Sequence, residues 1–334
     1  MSTSVIKVAI CGLGPIGIRV ATVAASKESL RVIGAMDIAP TKVGKRLSDL
    51  GDGLPSDIKV VGSLDDLLAA CSPQVVLHAT GSYLSHVYPQ YHAIISAGLS
   101  IVSTCEEAVY PVSKEAQGLA EKLDDLCKHR GARLLGTGIN PGFAMDVWPL
   151  VLTATHSKVQ RIVVRRTVDA SSRREPLQRK VGAGLSVEQF DEAAATKKIG
   201  HVGLAASAHM LAKGLARDIR SQRETILPIL ADREIRSQYY HITPGEVAGL
   251  QQELVCELEG GVELTLHLEM YLGAPDALDE VLIEGDGVSK ITVPGGYPGD
   301  GATAALVCNA VKPLLSCPAG YHTMLDLPFF GCLR

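Results

Sequence analysis

The chain has 334 residues, a formal net charge of −4 and 46% hydrophobic residues, which gives room for about two domains with an ample core. No basic cluster is large enough to track a nucleic-acid backbone, and no apolar run reaches the ~18 residues needed to span a bilayer, so neither nucleic acid nor membrane is an expected partner. The eight cysteines contain no Cys-x-x-Cys pair and sit mostly in apolar runs (Cys11, Cys256, Cys308), which predicts buried thiols, a reducing cytoplasm, no disulfides and no metal site.

Met1-Ser2-Thr3-Ser4 leads straight into the first apolar run, 5–11, so no signal peptide is expected. That run predicts a buried strand. Gly12-Leu13-Gly14-Pro15-Ile16-Gly17 follows it, and a helical pattern over 16–26 comes next. This is the G-x-G-x-x-G turn in its strand–turn–helix setting. Gly12 permits the tight turn, Gly14 lets a pyrophosphate approach the backbone, and Gly17 lets helix and strand pack closely. The amides at the helix start then face the phosphates. The next apolar run, 30–36, ends in Asp37, 20 residues past Gly17, where an acid accepts from ribose hydroxyls. Such an acid repels a 2′-phosphate, which favours NAD. Lys42, Lys45 and Arg46 keep NADP open. The competing reading is an ordinary βαβ unit that binds no nucleotide.

Strand-like runs at 74–79, 99–104 and 132–136 alternate with helix-like segments at 84–97 and 113–130. The pattern predicts an α/β, doubly wound Rossmann sheet over residues 1–145, with ligands beyond the carboxyl ends of its strands. Three strand ends there are polar. Thr80-Gly81-Ser82 suits close approach to the middle of a dinucleotide, or is a simple βα turn. Ser103-Thr104-Cys105-Glu106-Glu107 puts two carboxylates where a nicotinamide would lie. One of them could serve as general base or stabilise a substrate cation; two solvated acids favoured by a helix dipole are the plainer alternative. Gly136-Thr137-Gly138-Ile139-Asn140-Pro141-Gly142 is a Gly-rich hinge before a helix expected to start near Pro141. Asn140 in it can both donate and accept.

The second domain, 146–301, has a different texture. Residues 250–258 and 262–272 alternate apolar and polar, and 259–261 is a hairpin turn between them. Strand-like runs at 279–285 and 289–293 follow, and helices are expected at 186–195 and 203–217. This predicts an α+β domain with a largely antiparallel sheet, one face covered by helices and the other available to a homodimer. The stretch 171–180 holds Arg173, Arg174, Arg179 and Lys180, either an anion clamp or a solvated basic loop. Gly200-His201-Val202-Gly203 makes His201 the best histidine candidate; His78, His86, His92 and His267 fit structural roles. After a loop containing Asp300, a helix over 302–313 carries Thr303, and residues 302–334 are expected to pack back onto the first domain.

Taken together, the 136–142 hinge, Ser103-Thr104-Cys105-Glu106-Glu107, Arg173-Arg174-x-Pro-Leu-Gln, Gly200-His201-Val202-Gly203-Leu204 and the segment 294–328 resemble the 2,4-diaminopentanoate dehydrogenases and related native amine dehydrogenases of the dihydrodipicolinate reductase-like superfamily. The resemblance implies reversible oxidative deamination: an amine gives up hydride to the nicotinamide, and the iminium is hydrolysed to a ketone or aldehyde and ammonia. It implies a catalytic carboxylate at Glu106 or Glu107, with Glu106 preferred. A carboxylate ~4 Å from an iminium stabilises it by several kcal/mol in a partly buried site. Gly12, Gly14, Pro15, Ile16, Gly17 and Asp37 would hold NAD, with Thr80, Gly81, Ser82 and Asn140 beside the nicotinamide. His201, Arg173 and Thr303 would lie at the substrate end. Two departures bear on substrate. Pro298 stands where the family has a His before Gly-Asp, and Ala206-Ser207 replaces a Glu-Ser pair; both remove polarity and point to a simpler amine or ketone. A dihydrodipicolinate reductase-like or homoserine dehydrogenase-like reductase, or a non-catalytic nucleotide-binding protein, are the alternatives.

Overall fold

The first strand is buried because it has neighbours on both edges and helices on both faces: Val8, Ala9 and Ile10 have no solvent exposure in the computed structural model, which describes residues 5–332. The segment Met1–Ser4, on which the expected absence of a signal peptide rests, lies outside the described residues. In chain order the first half runs β1 (Ile6–Cys11), α1 (Pro15–Ala25), β2 (Leu30–Met36), β3 (Val60–Val61), α2 (Leu64–Ala70), β4 (Val75–His78), α3 (Leu84–Ser96), β5 (Ser100–Ser103), α4 (Lys114–Arg130) and β6 (Arg133–Gly136). The second half runs α5 (Val147–Thr153), β7 (Val159–Asp169), α6 (Glu175–Lys180), α7 (Val187–Ala195), α8 (Leu204–Gly214), β8 (Ile219–Leu230), β9 (Ile235–Arg236), β10 (His241–Ile242), β11 (Val247–Leu258), β12 (Val262–Tyr271), β13 (Leu278–Gly285), β14 (Val288–Pro294), α9 (Gly299–Ser316) and β15 (Gly320–His322).

The chain divides into two compact units, one running through Phe143 and resuming at Pro298, the other Ala144–Tyr297. In the first, seven parallel strands lie in the order β15-β6-β5-β4-β1-β2-β3. The order reverses between β1 and β4, the switch point where doubly wound sheets bind ligands. Helix α9 returns to lie against α1, and the Cys308 thiol donates to the Val20 carbonyl at 3.6 Å. This helix starts earlier and ends later than its sequence pattern suggests. β15 adds three residues to the sheet edge, too few to register as an apolar run.

In the second unit six strands lie in the order β14-β13-β7-β12-β11-β8. All neighbours are antiparallel except β7 and β12, so the sheet is mixed and mostly antiparallel. One face is apolar: Ile162, Leu254, Leu258, Leu264, Leu266, Val281 and Ile283 are buried, and α8 packs on β11 and β12. The other carries half-buried polar groups, among them Glu253, His267 and Glu269. Two long strands, β7 and β8, have no counterpart in the sequence-based reading. In β7 a charged residue, Arg166, occupies a core position; β8 is a sheet-edge strand containing Pro228, whose missing N–H is harmless there. The helix expected to start near Pro141 begins instead at Val147, where Asp146 Oδ1 caps it by accepting from the Val147 N–H at 2.6 Å.

Candidate active site

The glycine turn is shaped by close packing. Gly12 has φ +86°, and a Cβ there would come within 2.5 Å of the Ala79 carbonyl oxygen and 2.7 Å of the Thr80 methyl group. A Cβ on Gly17 would sit 1.8 Å from the Gly12 carbonyl oxygen. Gly14 is different: a Cβ there would meet nothing within 4 Å, and no side chain caps the start of α1. The turn therefore presents an uncapped helix start with open space above the middle glycine, which is the arrangement that receives an anion. Asp37 is tied to the same turn. Its Oδ2 accepts from the Leu13 N–H at 2.7 Å and from Lys42 Nζ at 3.1 Å, and its Oδ1 accepts from the Ala39 N–H at 2.8 Å. Burial raises its pKa, but these donors outweigh burial and leave the carboxyl below its usual range.

Thr80, itself exposed, touches a polar network at the ends of β4 and β5 whose inner members His78, Tyr91 and Ser103 are buried. Its hydroxyl lies 3.0 Å from His78 Nε2 and 2.8 Å from Gln90 Oε1. His78 Nε2 is 2.7 Å from Gln90 Oε1, and its Nδ1 is 3.1 Å from Ser103 Oγ. Ser103 Oγ already accepts from Tyr91 Oη at 2.5 Å and from the Cys105 N–H at 3.1 Å, so its one proton goes to His78 Nδ1. That leaves a neutral imidazole with its proton on Nε2, facing Gln90. Burial, partly opposed by Gln90, pushes His78 down to about 4, in keeping with a neutral ring.

The two adjacent acids separate here. The Glu107 carboxylate accepts from the Leu84 N–H at 2.7 Å, capping α3, whose own N-cap residue Tyr83 provides no side-chain cap. The Glu106 carboxylate, half-buried at the carboxyl end of β5, has no hydrogen bond or ion pair among the described residues. Both lie in a three-residue 3₁₀ turn, Glu106–Ala108. Ser82 belongs to the same cluster, its carbonyl accepting from the Glu107 N–H at 3.1 Å.

In the hinge segment, Thr303 accepts the Ile139 N–H at 3.2 Å, so this residue from α9 holds the loop that carries Asn140. Both polar atoms of the Asn140 amide are buried without a partner among the described residues. A buried orphan amide is costly unless a ligand satisfies it.

In the second unit the basic stretch is anchored by one buried side chain, while Arg179 stays exposed. Gln178, fully buried, donates to the carbonyls of Ser171 at 3.0 Å and Arg173 at 2.7 Å, and accepts from Ser237 Oγ at 2.7 Å. His201 is fixed through its backbone: its N–H donates to Gln252 Oε1 at 2.8 Å and its carbonyl accepts from Gln252 Nε2 at 3.1 Å. Its buried Nδ1 has no partner among the described residues. Burial, then the charges of Lys180 and Arg166, push His201 down to about 3, so the ring is neutral. Arg166 and Gln252 carry no obvious motif and were missed in the sequence; both occupy core-facing strand positions, where a polar residue is itself a signal. Among the described residues no group of His, Cys, Asp and Glu is placed to hold a metal ion, and no helix is long and apolar enough to cross a membrane.

Residues 143–334 match the family model of the 2,4-diaminopentanoate dehydrogenase C-terminal domain. Along almost its whole length the chain is similar to the 2,4-diaminopentanoate dehydrogenase of Acetoanaerobium sticklandii, at 28% identity over 97% of this chain and 93% of the relative. It is 22% identical to an amine dehydrogenase of Streptomyces virginiae, over 97% of this chain and 96% of that one. The fold is shared with the solved structure of an amine dehydrogenase from Mycobacterium smegmatis, with a TM-score of 0.87, 23% identity, and coverage of 98% of this chain and 97% of that chain. A model that matches more than half of the chain places it: this protein belongs to the family defined by the C-terminal domain of 2,4-diaminopentanoate dehydrogenase.

Proposed function

We propose that the protein is an NAD(P)-dependent amine dehydrogenase that interconverts an amine with a ketone or aldehyde plus ammonia. The observation that carries the reading is the unpartnered Glu106 carboxylate, displayed beyond the carboxyl ends of the same parallel sheet as an uncapped glycine turn. Family membership and the named relatives agree with it.

The residues fit a dinucleotide. The open space over Gly14 and the first amides of α1, with Pro15, Ile16 and Gly17, suit a pyrophosphate. Asp37 Oδ1 accepts a single hydrogen bond and keeps a lone pair for a ribose hydroxyl. Thr80, Gly81, Ser82 and the orphaned Asn140 amide would border the nicotinamide. What the cofactor supplies when bound is a hydride acceptor.

The remaining work falls to the chain. Glu106 takes a proton from the substrate ammonium, leaving a free amine. As the carbon–hydrogen bond breaks, positive charge grows on the carbon–nitrogen unit, and the same carboxylate, now neutralised by no other partner, stabilises it after passing its proton to solvent. It then removes a proton from the water that adds to the iminium and returns it to the nitrogen of the carbinolamine, whose carbon–nitrogen bond breaks to release ammonia as the hydroxyl loses its proton to the carboxylate and the carbonyl forms. A lysine at this position would oppose the charge at each stage. His201, Arg173 and Thr303 are assigned to the substrate end, where the neutral His201 ring can donate or accept without adding charge.

We assign residues 1–145 to the dinucleotide, with 302–334 returning to that domain, and 146–301 to substrate and assembly. The uncovered face of the six-stranded sheet is the surface for a homodimer. Eight cysteines, none of them in a disulfide among the described residues, suit the cytoplasm.

The discriminating assay is NADH oxidation with a panel of small ketones, with and without ammonia. Turnover should require ammonia; ketone reduction in its absence would replace this reading with a carbonyl reductase. Asp37 gives a second check. Asp37→Ser should weaken NAD binding about tenfold, the cost of one charge-assisted hydrogen bond, and narrow the gap to NADP. Fluorescence titration with NADH and NADPH measures both effects, and an unchanged NADH Kd would remove Asp37 from the site.

A further inference from the structure

The turn that carries Glu106 cannot hold its own shape. It has three residues and two internal bonds of the 3₁₀ type, from the Ala108 N–H to the Cys105 carbonyl at 3.1 Å and from the Val109 N–H to the Glu106 carbonyl at 3.2 Å. Such a turn is too short to be stable alone, so what fixes it comes from outside.

Four attachments surround Glu106. Ahead of it, the Cys105 N–H is held by Ser103 Oγ at 3.1 Å. Behind it, Glu107 reaches 23 positions back along the chain to accept the Leu84 N–H at 2.7 Å, while the Glu107 N–H donates to the Ser82 carbonyl at 3.1 Å. At the end of the turn, the Tyr321 hydroxyl, brought in by β15, donates to the Ala108 carbonyl at 2.6 Å. Gly136 on β6 closes the remaining side, since a Cβ there would come within 2.3 Å of the Ala108 carbonyl. Every backbone neighbour of Glu106 is thus tied to a different element, and only the Glu106 carboxylate is left without a partner among the described residues.

From this we infer that Glu107 and Tyr321 are positioning residues for Glu106: they clamp the turn from its two ends so that its one unpartnered carboxylate keeps a fixed place. The inference rests on the reading of Glu106 given above. Glu107 does so as an acceptor for the Leu84 N–H and not as an acid–base group. Tyr321 does so with its hydroxyl alone. The chemistry is sensitive to such placement, because a displacement of about 1 Å can cost on the order of a hundredfold in rate.

The test uses Glu107→Gln, Glu107→Ala and Tyr321→Phe in the full-length enzyme. The amide oxygen of Gln can still accept from Leu84; Ala cannot. Glu107→Ala should lower kcat about thirtyfold and Tyr321→Phe about fivefold, within the range expected for misplacement of a reacting group. NADH affinity should stay within about twofold in both, since neither residue is assigned to the cofactor. The acid side of the pH–kcat profile should move in Glu107→Ala and return in Glu107→Gln, which should keep kcat within about threefold of wild type. A merely structural residue would change the amount of folded enzyme without moving that profile. Wild-type kcat in Glu107→Ala, or equal loss in Gln and Ala, overturns the inference. If Glu107→Ala does not fold, Tyr321→Phe decides alone, and an unchanged kcat there is equally fatal. Glu106→Gln serves as the separator: if it is inactive while the clamp variants are normal, only the clamp fails; if it is active, the underlying reading of Glu106 fails whatever the others do.

Discussion

Glu106→Gln should lose about three orders of magnitude in kcat for amine oxidation while binding NADH as tightly as the wild type. The size follows from what the substitution removes. Gln has nearly the same volume and can accept a hydrogen bond, but it takes no proton and carries no charge. Proton transfer by a placed side chain contributes roughly 10²–10⁴-fold, and the loss of a preorganised charge facing a developing cation adds to it. Glu106 has no structural task to confuse the result, since its carboxylate holds no other group among the described residues. The fold should therefore survive, and the thermal midpoint should move little. NADH fluorescence titration, steady-state kcat in both directions and the ammonia requirement check the prediction together. A variant that keeps more than about a tenth of wild-type kcat excludes Glu106 as the acid–base group, because the smallest contribution expected of such a group exceeds that.

The choice between the two acids shows where sequence reasoning stops. The strand ending at Ser103 and the acids after it are visible as a pattern, because a strand buried on both faces is a continuous apolar run. Which acid is occupied depends on the Leu84 N–H, 23 positions away in sequence, and no local pattern encodes that bond. The nucleotide turn was legible for the opposite reason. Gly17 is demanded by the Gly12 carbonyl within one βα unit, Gly12 has a positive φ and packs against Ala79 and Thr80, Gly14 leaves open space, and Asp37 reaches back to Leu13 across the following strand, so the signals fall within a short span of sequence. In the second unit the alternating strands β11 and β12 could be read directly. β7 could not, because Arg166 breaks its apolar face, and that arginine is tolerated only by virtue of an aspartate on a neighbouring strand. The basic stretch around Arg173 looked like a solvated loop or a clamp; its order comes from Gln178, whose partners at Ser171 and Ser237 lie on either side of it in the chain. Thr303 stood out as a substrate-side residue, yet its hydroxyl oxygen is already engaged in holding the Ile139 backbone.

That buried arginine sets the largest stability effect. Arg166 Nη1 donates to both oxygens of Asp279 at 2.7 Å, and Nη2 donates to the Tyr297 carbonyl at 3.1 Å. The Tyr297 N–H returns a bond to Asp279 Oδ2 at 2.7 Å, and the Tyr297 ring meets Trp148 edge-on with centroids 5.6 Å apart. The two charged side chains are only 5% and 2% exposed. Burial pulls the arginine below its usual range, and the Asp279 charge opposes that pull. Asp279→Ala would leave a guanidinium in the core with one carbonyl and no counter-charge. Breaking a buried pair in this way costs ~3–5 kcal/mol, because the remaining ion keeps its desolvation penalty and loses the attraction that offset it. For a unit of this size the thermal midpoint should fall by roughly 10 °C. Asp279→Asn should fall nearly as far, since shape is kept and charge is not. The double variant Arg166→Met, Asp279→Leu should be much closer to wild type, because two apolar side chains of similar volume remove both ions together. Adding the single variants Arg166→Met and Asp279→Leu closes the cycle, and thermal and denaturant unfolding of the set gives the coupling. If the single variants are as mild as the double, Arg166 reaches water or another anion once Asp279 is gone, and its charge is not confined to the core. If the singles are severe and the double is mild, the pair contributes little to stability as a unit, and what it does instead is fix Tyr297 and set a positive charge beside His201, so the double variant should retain its fold while the His201 environment loses one of the two cations acting on it.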